Sequence, residues 1–367
     1  MFSRNPGSIL LAIAKRVFFR MRSDCYFYMI TFLYTLIAIC LAWSDSSFPM
    51  LSHALYFDQW TKLFLFIMPM AAIIFDFTLV IHRFDRRRLL ALRRVFSPKR
   101  IAGLVSGVLL LGVLMFFQGS FTSIKNMLPV LRGGFLVDRE QADFDAWLHF
   151  GTDPWIWLHS FMARDWVRLV IDFNYGIVWF ILCFGALFFV ATSPSADGIR
   201  KRYLLMFAFV WIGCGNILAG LFLSAGPVFY GEVVGDHARF ADLVAFLNRS
   251  QGANSAAAYQ AYLWDLHESG DTGFGSGISA FPSIHVGLIT LNALFLNEYS
   301  RRLGAAAFAY VACIQISSVY LGWHYAIDGY VSMAVVVAAF YGTAAVSRYW
   351  SQRTRAEPIT VSVPASS

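Results

Sequence analysis

Ile177-Val-Trp-Phe-Ile-Leu-Cys-Phe-Gly-Ala-Leu-Phe-Phe-Val-Ala191 carries no charged side chain and lies inside a longer apolar run, 168–191. A run of that length crosses a hydrocarbon core of roughly 30 Å as an α-helix, which satisfies its own backbone groups without water. Similar runs fall near 26–44, 61–82, 101–118, 203–224, 281–298, 303–321 and 327–348. The sequence therefore predicts an all-α polytopic membrane protein of about eight transmembrane helices. Composition agrees. The chain is 58% hydrophobic and only 14% charged, against about 25% charged in soluble domains.

The formal charge of +7 admits a nucleic-acid partner only until its distribution is read. With both termini placed on the cytoplasmic side, segments 1–23, 83–100, 199–202, 299–302 and 348–355 hold 21 of the 29 Lys and Arg residues. That asymmetry follows the positive-inside rule and accounts for the basicity without nucleic acid. The run from Arg83 to Arg100, with Arg86-Arg87-Arg88 in it, reads as a topology determinant. The first 23 residues show no cleavable signal peptide and predict an amphipathic helix on the cytoplasmic face. Cys25, Cys40, Cys183, Cys214 and Cys313 fall in or beside spans, without metal-ligand spacing, and read as apolar thiols.

Four regions are expected. Residues 1–118 form a basic segment and three spans, and 119–167 an outer interfacial connection rich in Trp and Asp. Residues 168–350 form a membrane core, and 351–367 a disordered tail. The outer connection contains Asp143-Phe-Asp145-Ala-Trp147 and Asp153-Pro-Trp155-Ile-Trp157, which read as a collar lying at the interface. A second connection, 225–280, predicts two short amphipathic helices and ends in Gly273-Phe-Gly275-Ser-Gly277. That tract follows no strand, so it is not a dinucleotide fingerprint.

Chemistry concentrates in Phe281-Pro282-Ser283-Ile284-His285 and His324-Tyr325-Ala326-Ile327-Asp328. Both histidines end apolar runs, where a ring that can gain charge near neutral pH is expensive unless it has a role. His324 and Asp328 are four apart and share a helix face, so the carboxylate can fix the imidazole's tautomer. Pro282-Ser283 opening a helix points free backbone N–H groups at an anion. Eight spans from a cytoplasmic N-terminus place His285, His324 and Asp328 together on the outer side. The expectation is phosphoryl transfer with His324 as nucleophile, Asp328 orienting it and His285 as acid and base. Ser283 holds non-bridging oxygens, and Pro282, Gly277, Ser317, Tyr320, Asp172 and Tyr230 are further substrate-binding candidates. The chemistry calls for no metal and no organic cofactor. Asn174 accompanies Asp172, and Arg164 and Arg168 read as interfacial. Asp76 and His82 read as structural, and His237 and His267 lack ligand spacing.

Pro282-Ser-Ile-His285 followed by Ser317-Ser318-Val-Tyr-Leu-Gly-Trp-His324-Tyr-Ala-Ile-Asp328 resembles the second and third motifs of the type 2 phosphatidate phosphatase superfamily. The resemblance implies a six-helix catalytic bundle, and it gives His324, Asp328 and His285 the same three roles. The departures are informative. The superfamily's first motif has a Lys and an Arg-Pro, and its third an Arg after the first Ser. Ala219, Gly226-Pro227 and Ser318 stand at those places here. With three cationic phosphate ligands missing, a singly charged phosphodiester suits the pocket better than a doubly charged monoester. Inositol phosphorylceramide synthases of fungal type and their bacterial relatives share these losses, and Pro227-Val-Phe229-Tyr230 resembles their Pro-plus-aromatic pattern. The resemblance to that branch implies a transferase moving an inositol-phosphate-type headgroup from a membrane phospholipid donor to a lipid hydroxyl acceptor such as ceramide or diacylglycerol. The expected setting is a bacterial inner membrane, with the site on the periplasmic or outer side that the topology gives. The alternatives are a lipid phosphatase acting on a phosphatidate- or isoprenyl-phosphate-type substrate, and a non-enzymatic membrane protein with a decayed site.

Overall fold

The computed structural model describes residues 6–83, 87–249, 252 and 255–356, and every regular element among them is helical. The first part comprises α1 (Pro6–Ser23), α2 (Cys25–Ser44) and α3 (His53–Trp60), which continues through a π-helical stretch, Thr61–Ile67, into α4 (Met68–Arg83). Next come α5 (Arg88–Val95) and α6 (Pro98–Arg132), then the short helices α7 (Asp138–Leu148) and α8 (Pro154–Met162). α9 (Asp165–Phe173) passes through a π-helical turn, Asn174–Val178, into α10 (Trp179–Thr192). α11 (Asp197–Phe209) likewise passes through Val210–Leu218 into α12 (Ala219–Leu221). Three short helices follow, α13 (Tyr230–Val234), α14 (Ala241–Leu247) and α15 (Ala256–Ser269). The chain closes with α16 (Ile284–Tyr299), α17 (Arg301–Tyr320) and α18 (Ala326–Ala356).

Among the described residues, 7 helical runs are long and apolar enough to cross a membrane. Their outward faces carry large apolar side chains, with Phe32 64%, Phe75 62% and Ile181 58% exposed. Water penalises such a surface and lipid does not. The chain is an all-α polytopic membrane protein. The remaining expected span, 281–298, is α16, whose 16 residues reach only about 24 Å. It sits inside the bundle against α17, α18 and α10 instead of facing lipid over its full length. Close approach is possible because Gly215 and Gly287 line its contacts. A Cβ at Gly215 would lie 2.7 Å from Ile284 Cδ1, and one at Gly287 2.7 Å from Ser332 Oγ. Ser300 alone joins α16 to the 20-residue α17. The start of α16 is therefore recessed by about 6 Å, one helical turn, below the far end of α17.

Two expected boundaries move. The third span does not stop at 118: α6 runs 35 residues, to Arg132, so the connection expected from 119 begins at 133. Gln118, Ser120, Thr122 and Ser123 look like a span's end in the sequence, yet partners absorb most of them. Ser120 and Ser123 donate back to the carbonyls of Phe116 and Gly119. Thr122 shares a 2.6 Å hydrogen bond with Tyr56, and Ser123 accepts from the Ser52 amide. At the other end α18 runs to Ala356, so the tail expected from 351 opens as helix. Residues 357–367 and Arg86 lie outside the described residues.

The end of the bundle that carries the basic segments is tied by a buried ion pair. Arg200 donates to Asp24 through Nη2 (2.6 Å) and Nε (2.9 Å), and through Nη1 to the carbonyls of Val190 and Ala191. Both residues are at most 4% exposed. Arg20 pairs with Asp197 at 2.9 Å beside them, and Asp76 pairs with Arg100 at 3.0 Å. Removing one member of a buried pair strands the other charge at about 3–5 kcal/mol. Arg200→Met should thus lower the temperature at which the detergent-solubilised protein aggregates. Asp24→Leu combined with Arg200→Met should recover part of the loss, as read by size-exclusion chromatography after a heating series.

Candidate active site

Three loops meet at the other end of the bundle. They are the segment after α12, the glycine-rich segment before α16 and the turn between α17 and α18. Backbone hydrogen bonds join them: Ala280 N–H to Ser224 C=O (2.8 Å), Val228 N–H to Gly322 C=O (3.2 Å) and Ser283 N–H to Asp328 C=O (3.2 Å). Two carboxylates from α7 hold the same loops. Asp138 accepts from the amides of Ala225 (2.8 Å) and Gly226 (2.9 Å) and from the Tyr325 hydroxyl (2.9 Å). Asp145, two turns further on the same face, accepts from the amides of Ala326 (2.9 Å) and Ile327 (3.0 Å). It thereby caps α18, satisfying amides that have no partner within the helix. Burial pushes both carboxyls above their ordinary range, and the backbone amides pull them back.

This scaffold fixes the His324–Asp328 pair. His324 Nδ1 lies 3.3 Å from Asp328 Oδ2, which also accepts from the Tyr325 amide at 3.0 Å. Asp328 is fully buried and His324 is 7% exposed. Burial holds the His324 ring far below its usual value, at about 3, with the Ala280 carbonyl working the other way. The ring is neutral near pH 7. With Nδ1–H given to Asp328, the lone pair falls on Nε2.

His285 occupies the first turn of α16. Its ring is stacked on Tyr175 (centroids 4.4 Å, planes 12° apart) and lies 3.9 Å from Trp179, whose indole N–H donates to the His285 carbonyl at 2.9 Å. Tyr175 belongs to the π-helical turn Asn174–Val178, a distortion frequent at functional sites. Its hydroxyl is buried and has no hydrogen-bond partner among the described residues, as is also true of Asp328 Oδ1.

The other expected site residues divide. Ser283 is the N-cap of α16: its hydroxyl accepts from the Val286 amide and its carbonyl accepts from Ser332 Oγ at 2.7 Å. Pro282 follows a cis peptide bond. Gly277, at φ +91°, runs so close to α6 that a Cβ would meet Asn126 Oδ1 and Lys125 Cγ at 3.0 Å. Ser317 donates to Cys313 C=O in its own helix, and Tyr320 donates to Met162 C=O while packing on His159. Asp172 accepts from the Ala256 amide at the start of α15, and Asn174 accepts from Tyr310. Tyr230 is core, packed on Phe240. Arg168 is spent on Phe246 C=O and Asp165, and Arg164 is the residue before α9. His267 packs between the rings of Phe135 and Trp264, and His237 sits against Gly231.

The positions where superfamily arginines are missing have no room for one. Gly226 has φ +100°, and a Cβ there would lie 2.8 Å from the Trp323 carbonyl oxygen. Ser318 is fully buried, its hydroxyl donating to Gln315 C=O. A cation does reach the site, from an unexpected helix. Lys125, near the end of α6, is half-buried and makes no hydrogen bond or ion pair among the described residues, and its charge acts on both His285 and His324. A lysine inside an apolar run was the available signal, but it lay beyond the point where the polar cluster at 118–123 ends the third expected span. Asp138 and Asp145 were readable too, as a two-turn spacing on one helix face.

The family model of the PAP2 superfamily matches residues 139–342. The match spans more than half of the chain, and the protein belongs to that superfamily, whose members are phosphatases or phosphotransferases. No curated protein and no solved structure gave a match.

Gly226→Ala should reduce turnover at least tenfold by pushing on the Trp323–His324 segment. Gly235→Ala, also at positive φ but with open space around its Cβ, should cost only about 1–2 kcal/mol of stability and leave turnover intact. Nitrogen NMR of histidine-labelled protein at pH 5 should show a neutral His324 ring, at a pH where a free histidine is mostly protonated. A doubly protonated His324 at that pH would contradict the burial argument.

Proposed function

We propose that the protein is a lipid phosphotransferase that carries a phosphoryl-alcohol headgroup on His324. His324 Nε2 attacks the phosphorus of a phospholipid donor. The bond to the diacylglycerol oxygen breaks, and His285 protonates that oxygen as it leaves. The headgroup phosphoryl stays on His324 as a phosphohistidine. His285, now neutral, removes the proton from a lipid hydroxyl such as that of ceramide or diacylglycerol. This oxygen attacks phosphorus and releases His324 unchanged. Asp328 holds the tautomer and stabilises charge on the ring in both halves.

The observation that carries the diester reading is the crowded, buried state of Gly226 and Ser318. The pocket lacks arginines at both positions, and one lysine matches the single charge of a phosphodiester better than the near-double charge of a monoester. An inositol-phosphate-type headgroup is the specific proposal, supported by the resemblance of Pro227-Val-Phe229-Tyr230 to the transferase branch. The proposed setting is a bacterial inner membrane with the site on the periplasmic side, opposite the basic end of the bundle.

The test uses purified protein in vesicles holding headgroup-labelled phosphatidylinositol, with and without ceramide or diacylglycerol. Label should move to a new lipid only when an acceptor is present, and His324→Ala should abolish the transfer. Water-soluble label released at the same rate without an acceptor would replace the transferase reading with a hydrolase. Unlabelled phosphatidate should compete no better than a diester lipid.

A further inference from the structure

The helix that supplies Lys125 lies entirely before the residues matched by the PAP2 superfamily. It is nevertheless built into the site. Asn126 Nδ2 donates to Ser276 Oγ at 2.8 Å, and the same Ser276 Oγ accepts from the Gly273 amide at 3.1 Å. The glycine-rich segment is thereby folded against the end of α6. Gly277, with no side chain, lets the Lys125 stem pass. On its other side α6 is fixed by α3, through His53–Ser120 (3.0 Å) and Tyr56–Thr122 (2.6 Å), and packs along α10. The lysine is thus held by a rigid helix on two flanks, while its ammonium has no protein partner among the described residues. A half-buried cation left unpaired beside two histidines is poorly stabilised unless an anion joins it.

We infer that Lys125 is the phosphate-binding cation of this enzyme, contributed by an N-terminal helix in place of the arginines that Gly226 and Ser318 exclude. This inference rests on the phosphoryl-transfer reading of His285 and His324 but not on the choice between transferase and hydrolase. The ammonium donates to a non-bridging oxygen of the donor phosphate and offsets one negative charge there. As His324 attacks, charge grows on the equatorial oxygens, and the same contact strengthens. The first spans therefore complete the site, and the enzyme's preference for charge resides in one residue.

The experiment compares Lys125→Met, Lys125→Arg and the parent in the labelled-lipid assay, scoring any product, transferred or hydrolysed. Lys125→Met should raise the donor KM at least tenfold and lower kcat/KM about a hundredfold, and Lys125→Arg should recover most of both. Lys125→Met kinetics within twofold of the parent would overturn the inference, whichever product forms. Lys125→Cys separates charge from folding: treatment with bromoethylamine restores an ammonium at that position. Regained turnover in this variant, beyond any change in equally treated parent, supports the assignment. A folded, alkylated but still inactive protein refutes it. A parent enzyme without turnover would count against the phosphoryl-transfer reading. Donor binding to His324→Ala protein in lipid nanodiscs, with and without Lys125→Met, would then decide Lys125 separately, an unchanged affinity refuting it.

Discussion

Two buried carboxylates, Asp138 and Asp145, hold the site end of this molecule together. Among the described residues neither pairs with a lysine or arginine, and Asp145 has His149 Nδ1 at 3.5 Å. They accept backbone amides at Ala225, Gly226, Ala326 and Ile327, and Asp138 also takes the Tyr325 hydroxyl. Loops at a membrane surface gain little from hydrophobic packing and leave amides to be satisfied. A carboxylate that collects several amides serves both needs, because charge-assisted bonds are shorter and stronger than neutral ones. The geometry of His324 and Asp328 depends on this arrangement. If α7 shifts, the start of α18 loses its cap and the His-Asp register loosens.

Much of the fold was legible because a bilayer imposes long apolar runs on the sequence. The helices at 25–44, 165–192, 301–320 and 326–345 follow directly from that constraint. The reading failed at Gln118–Ser123, where polarity suggested a span's end and the structure shows hydrogen bonds to α3 and within α6. Polarity marks an end only when water satisfies it, and a neighbouring helix can do the same. The short α16 was readable as apolar, but its recess was not, since helix ends depend on caps such as Ser283.

The His324–Asp328 and His285 elements were legible because their spacing is local. The substrate-binding candidates Ser317, Tyr320, Asp172 and Tyr230, named for their place beside a motif, inside a span or in an aromatic pattern, each have a protein partner in the structure. Of the residues that approach the histidines from distant segments, Lys125 shows only as a charge inside an apolar run, and Tyr175 and Trp179 carry no local signature. Sequence distance hides them. Only the packing of α6 and the π-helical turn at Asn174–Val178 bring them in.

The offset between α16 and α17 has a geometric consequence. The first turn of α16, with His285 on it, lies about one helical turn beneath the end of α17. A ring set at that level meets side chains before it meets solvent: Tyr175 lies against it with centroids 4.4 Å apart, and Trp179 with centroids 3.9 Å apart.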